Sequence, residues 1–279
     1  MEQMILAGLH SLWISAAVAL ACYGLSRLQE SASVRYAIYV GGLVLVTGSP
    51  FVAWFALPAP AAESGIAGQI SGTPTTLLLA IWVVGMVLGA AKLLTEWLHV
   101  FRLRSMSSLA LPVWLSDSID RIARDLGVAN PAKIVLSHSV LVPGVVGGFK
   151  YVLLLPVSMV THLSQAECEA VIAHELAHAM RWDYVVNLAQ RVAEVVWFFN
   201  PCVWWLSHQV RIEREYVCDE VASDWVGCPR PLATALAKMA QPPSWNGTLV
   251  AAGTGGSVAD RIRVLAGRGH RIQAATVPV

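Results

Sequence analysis

Within the run AECEAVIAHELAHAMRWDYVVN, residues 166–187, two histidines and a glutamate stand as His174, Glu175 and His178. On a helix, side chains four residues apart leave one face a turn apart, so these two imidazoles can share one tetrahedral zinc. A glutamate beside the first can work on a water at that metal. A lone histidine on an apolar helix is ordinarily a hydrogen-bonded core residue. The full H-E-x-x-H string would arise by chance only about 0.01 times in a chain of this length and composition, which favours the metal reading.

Two histidines need a third protein ligand. In VRIEREYVCDEVASDW, residues 210–225, Glu215 and Asp219 are four apart and share a helix face. Glu215 would complete a set of two histidines and a glutamate and leave one position open, as a catalytic rather than a structural zinc requires. Asp219 could accept the free ring N–H of a ligand histidine and fix its tautomer. Glu213 is an alternative third ligand, and a merely solvated charged helix is another reading, since Arg211, Arg214 and Glu220 lie in the same stretch.

The elements that must position these groups are unusually apolar. The 279 residues are 56% hydrophobic and 13% charged, and mean hydropathy is +0.59. That balance points to a bilayer. Net charge is +1 with no basic block, so nucleic-acid binding has no electrostatic footprint. Five cysteines without C-x-x-C spacing read as small buried apolar residues.

Stretches 4–25, 37–57 and 76–99 each meet the requirement of about 20 apolar residues for a membrane span. The first lacks a basic leader and reads as a retained anchor, with His10 and Ser15 in helix–helix contacts or reaching the interface. Arg27 and Arg35 lie in the loop after the first span, and Arg102 and Arg104 follow the third. The 58–75 loop has no Lys or Arg, so the positive-inside rule places it outside and everything just beyond residue 100 in the cytoplasm.

Residues 113–127 predict a helix ending at a glycine, and Ser164 to Glu167 a capping box opening the H-E-x-x-H helix. Between them, AKIVLSHSVLVPGVVGGFKYVLLLP predicts two or three short strands with a tight turn, whose free edge could take an extended peptide. Hydropathy alone would make 184–206 a fourth span. Asn187, Gln190, Arg191 and Glu194 oppose it, and Asn200-Pro201 breaks it. A span there would also carry Glu215 to the far side of the bilayer. Two helices meeting at Asn200-Pro201 are expected instead, partly sunk in the membrane surface, with Trp197, Trp204 and Trp205 near the interface.

HELAH, then Arg181-Trp182-Asp183-Tyr184 and Asn187, then FFNPCVWWL and REYVCDE, resemble the membrane metallopeptidases typified by the beta-lactam sensor–transducers of the BlaR/MecR kind. VPGVVGGFKYVLLLP fits the same pattern, and the resemblance covers roughly residues 100–226. It implies His174, His178 and Glu215 as zinc ligands, Glu175 as catalytic base and Asp219 behind the ligands. It also implies the gluzincin-like core shared with CAAX-processing and HtpX-type proteases.

The expected fold is a mainly α membrane protein. Three N-terminal transmembrane helices (1–100) precede a cytoplasmic α+β metallopeptidase domain with a small β-sheet (101–226) and a helical tail and linker (227–279). The expected activity is Zn2+-dependent endopeptidase at the cytoplasmic (inner) membrane, multi-pass, with a protein or peptide substrate. The resemblance implies a transcriptional repressor or the enzyme itself as that substrate. Tyr216, His208 and Arg211 have chemistry suited to stabilising the oxyanion. The chain departs from the best-known members in having only about 50 residues after DWVG, and no S-x-x-K or K-T-G sensor motif. The signal would then come from a separate sensor partner or from a further part of a longer protein; a homodimer is the alternative to a separate sensor as partner. The rivals are a signalling scaffold with structural zinc, against which Glu175 argues, and a CAAX- or HtpX-like processing or quality-control protease.

Overall fold

The computed structural model describes residues 2–56, 73–129, 131, 133–147, 150–240 and 258–275. Most of the expected outer loop (58–72) and the linker-like stretch 241–257 lie outside the described residues. The order of elements is α1 (Glu2–Arg27), α2 (Ala32–Ala56), α3 (Thr73–Ser105), α4 (Val113–Asp125), β1 (Lys133–Ser137), β2 (Gly144–Gly147), β3 (Tyr151–Pro156), α5 (Val157–His162), α6 (Gln165–Met180), α7 (Asp183–Val196), α8 (Pro201–Val226), α9 (Arg230–Ala240) and α10 (Val258–Ala275). The chain forms two compact units, one of residues 1–97 and 188–213, the other of residues 98–187 and 214–279.

In the first unit α1 and α2 pack as a hairpin. A side chain at Gly42 would collide with the Cys22 thiol, so the glycine permits the close approach of the two helices. Gly85 on α3 does the same for the Phe198 ring. Among the described residues, Ala32–Pro50 and Thr76–Ser105 are long and apolar enough to cross a membrane. The second has none of its most apolar stretch fully buried, and Leu77, Ile81, Val84 and Leu88 are exposed, a surface suited to lipid. α1 is a helix over the first expected span but is not one of these two, so among the described residues two of the three expected spans meet the test. Ser15 makes the expected helix–helix contact, accepting from Asn200 Nδ2 at 2.9 Å. The side chain of His10 lies outside the described ones.

The expected break between α7 and α8 is present. Asn200 Oδ1 accepts from the Cys202 backbone N–H at 3.0 Å, capping α8 one residue ahead of its proline. Behind the break, buried Glu194 takes bonds from Ser207 and Arg211, and Gln190 donates to the Ser207 carbonyl. Of the polar residues that argued against a span, Glu194 and Gln190 are thus met by Ser207 and Arg211, and Arg191 by Glu194.

The second unit has a three-stranded sheet in the order β1-β3-β2. β3 is central, parallel to β1 and antiparallel to β2, and all six of its residues are buried, as its unbroken YVLLLP requires. The turn after β2 needs glycine at 147, where φ is 120° and a Cβ would meet the Lys150 carbonyl at 2.9 Å. Leu153, Leu155, Ile172 and Leu176 form one core with Ile119 and Ile122 of α4. Leu232 of α9 and Leu265 of α10 belong to that core too, so the C-terminal helices are part of the unit's packing. α6 opens with the expected capping box: Ser164 N–H donates to Glu167 at 2.8 Å and Glu167 N–H to Ser164 at 3.4 Å.

The cysteines are all free. Cys22, Cys168 and Cys218 are buried as expected, whereas Cys202 is half-buried and Cys228 exposed.

Candidate metal centre

α6 places His174 and His178 on one face with their rings 4.9 Å apart and nearly perpendicular. His174 and Glu175 are buried. α8 brings Glu215 to both histidines: its Oε2 is 3.6 Å from His174 Nε2 and its Oε1 3.8 Å from His178 Nε2. Tetrahedral bonds of about 2.0–2.1 Å set neighbouring ligand atoms about 3.3 Å apart, so two nitrogens and a carboxylate at these separations fit one zinc-sized ion with little adjustment. Glu213, two residues earlier, is taken by Arg35, whose Nε donates to both carboxylate oxygens at 2.9 Å.

Each histidine has a carboxylate behind it. His178 Nδ1 donates to Asp183 Oδ2 at 2.9 Å. His174 Nδ1 is 3.0 Å from Asp219 Oδ1, an ion-pair distance that falls short of an aligned hydrogen bond. Turned this way, both rings keep Nε2 for a metal. Asp183 reaches His178 across the two-residue turn between α6 and α7. Trp182 there has φ 57°, an unusual conformation for a bulky residue and one that commonly marks a functional constraint.

The electrostatics suit a cation. Burial alone would raise Glu215, but His174, His178 and Arg261 outweigh it and hold the carboxyl well below the usual range. Burial likewise would lower His174, yet the Asp219 and Glu215 carboxylates carry the metal-free ring up to about 10. Negative charge therefore exceeds what the histidines balance without a proton, and a metal must displace that proton to bind.

A second group, His178, Asp183 and Cys218, also has ligand atoms within 4.8 Å of one another. It is the poorer metal site. Burial pushes the Cys218 thiol well up, keeping it protonated, and His178 Nδ1 is already committed to Asp183.

The sequence reading missed Arg261 of α10. Its Nε and Nη2 donate to Asp219 at 2.8 and 2.6 Å, and its Nη1 is 3.1 Å from Glu215. The signal available was faint: Arg261 precedes Leu265 by one helical turn, on the apolar side of an otherwise basic segment. Of the side chains considered for the oxyanion, Arg211 is engaged by Glu194 and Ser207. His208 is exposed.

The sheet offers one open edge among the described residues. β1 is covered at its end, where Leu109 N–H donates to the Leu136 carbonyl and Leu136 N–H to Ser108. β2 forms the opposite edge and lies against α6, the helix of His174 and His178.

The model of the BlaR1 peptidase M56 family matches residues 60–255. The chain is similar to the regulatory protein BlaR1 of Bacillus licheniformis, 35% identical over 89 residues that cover 31% of this chain and 15% of that protein. It is similar also to the methicillin resistance mecR1 protein of Staphylococcus aureus, 26% identical over 147 residues, 52% of this chain and 25% of that protein. A protease HtpX homolog of Herminiimonas arsenicoxydans is 25% identical over 197 residues, 53% of this chain and 65% of that protein. The chain thus spans a quarter or less of the first two relatives' length. With a match over more than half the chain, running through His174, Glu175, His178, Glu215 and Asp219, the protein belongs to the BlaR1 peptidase M56 family.

Proposed function

We propose that this protein is an integral membrane zinc endopeptidase, with His174, His178 and Glu215 as ligands and Glu175 as catalytic base. The observation that carries the reading is the convergence of Glu215 on both H-E-x-x-H histidines, from a helix that starts beyond the Asn200-Pro201 break. Zinc held by these residues would supply Lewis acidity to polarise a peptide carbonyl and lower the pKa of a water toward about 7. Glu175 would take a proton from the attacking water as its oxygen adds to the acyl carbon, and would return that proton to the amine as the C–N bond breaks. Asp219 and Asp183 hold the two imidazoles in the tautomer and orientation that leave Nε2 free. An extended substrate adds to the β2 edge, which lays its backbone alongside α6.

Stripping zinc from the detergent-solubilised protein and restoring it is expected to abolish and then recover cleavage of the chain itself or of a co-expressed substrate. Hydrolysis surviving complete chelation would remove the metal from the reaction.

The site faces the cytoplasm in this reading, with α1, α2 and α3 as three spans and Arg27, Arg35, Arg102 and Arg104 on the inner side. The exposed Cys228 should then react with a membrane-impermeant maleimide only from the cytoplasmic face. Labelling from outside would reverse the topology. A regulatory substrate, a repressor or the enzyme itself, is supported by the names of two relatives, a regulatory protein and a methicillin resistance protein. The greater coverage of the HtpX homolog favours a second reading, a processing or quality-control protease of broader choice.

A further inference from the structure

Arg261 lies past the stretch that the family model matches, which ends at residue 255. It is 7% exposed. Its guanidinium has two edges, and both are used. One edge grips Asp219, Nε to Oδ2 at 2.8 Å and Nη2 to Oδ1 at 2.6 Å. The other faces the atoms that would face a metal, with Nη1 3.1 Å from Glu215 Oε2 and Nη2 3.4 Å from His174 Nε2.

A guanidinium has five N–H donors and no lone pair, so it cannot be a ligand. If Arg261 served only to pin α10 to the unit, the Asp219 grip would suffice and the second edge could point anywhere. It points instead at two of the three proposed ligands. Were a metal to take the single lone pair of His174 Nε2, the Nη2 donor aimed at that nitrogen would lose its acceptor while the Asp219 grip held the fork in place, so the second edge would have a donor to give. What a peptidase needs there is a fixed cationic donor for the carbonyl oxygen on which negative charge accumulates. Arginine suits the task, being permanently charged and rigid, and lysine could not keep both edges.

We propose that Arg261 is a further catalytic residue, donating from its second edge to the substrate's carbonyl oxygen as that oxygen becomes negative. It stays protonated throughout; only hydrogen bonds change. The role rests on the metallopeptidase reading above, and α10 thereby becomes part of the active site.

The test uses the full-length chain in detergent with cobalt in place of zinc, whose visible bands report both the metal and what joins it. Acetohydroxamate, a small metal-binding oxyanion without peptide side chains, is the probe. Arg261→Gln and Arg261→Lys are expected to bind about one cobalt per chain, as the unaltered protein does, and to bind acetohydroxamate about tenfold to a hundredfold more weakly. Added guanidinium chloride at low concentration should restore part of the affinity to Arg261→Gln and nothing to the unaltered protein. Either folded variant showing undiminished acetohydroxamate affinity would overturn the proposal. So would loss of cobalt in both variants, which would make Arg261 a support for the ligands, or a cobalt-loaded unaltered chain whose spectrum ignores acetohydroxamate. An unaltered chain that binds no metal at all would instead defeat the metallopeptidase reading itself.

Discussion

Replacing Glu175 by glutamine is expected to leave the metal content unchanged and to slow peptide hydrolysis by about 10²–10⁴-fold. Glu175 sits on α6 between the two histidines and is buried beside them, but it is not among the atoms that converge on one point. A glutamine keeps its size and its place in the helix while losing the ability to take a proton. Metal analysis and cleavage of the chain itself or of a co-expressed substrate, measured on one preparation, read the two effects separately. Activity within a few-fold of the unaltered protein would favour a structural metal and a scaffold function.

Substituting alanine for His174, His178 or Glu215 is expected to have the opposite signature, loss of the metal and of all activity dependent on it. Two ligands cannot hold the ion as three do, and the two histidine substitutions also take an imidazole from the carboxylate behind it, from Asp183 behind His178 and from Asp219 behind His174, though Asp219 keeps Arg261. Glu213→Ala should keep the metal, because that carboxylate is bound to Arg35. The affinity of the unaltered protein should rise with pH. The proton held by His174, with its pKa up at about 10 in the metal-free chain, competes with the metal and is surrendered more readily as pH increases. Equilibrium competition with a chromophoric chelator at several pH values checks both statements.

How far the site could be read from residues alone depended on whether its parts were local. His174, Glu175 and His178 lie within two turns of one helix, and the Ser164–Glu167 cap that starts it is a four-residue pattern, so spacing sufficed. Glu215 lies on a different helix from the histidines, and residue chemistry left it in competition with Glu213. The structure separates the two glutamates by what each meets, Arg35 for Glu213 and the two histidines for Glu215. The Asn200-Pro201 break was legible because proline cannot continue a helix's hydrogen bonding. Which sheet edge stays open was not, since that follows from the 108–109 segment folding back on β1. Arg261 was the least visible. It acts across 42 residues on Asp219 and 46 on Glu215, from a helix whose several arginines look alike until one is seen buried. Asp183 belongs to the Arg181-Trp182-Asp183-Tyr184 stretch, but its contact with His178 is made beside the positive φ of Trp182, which no local pattern announces.

Two neighbouring groups could in principle hold a metal, and they differ in one element. His174, His178 and Glu215 offer nitrogen and oxygen only, whereas His178, Asp183 and Cys218 include a sulfur. Zinc K-edge X-ray absorption on the purified full-length protein distinguishes them directly. A first shell of nitrogen and oxygen alone at about 2.0–2.1 Å, with the outer-shell scattering of two imidazoles, is the expected result. A zinc–sulfur distance of about 2.3 Å would contradict it, placing the ion on Cys218 and away from Glu175 and Glu215.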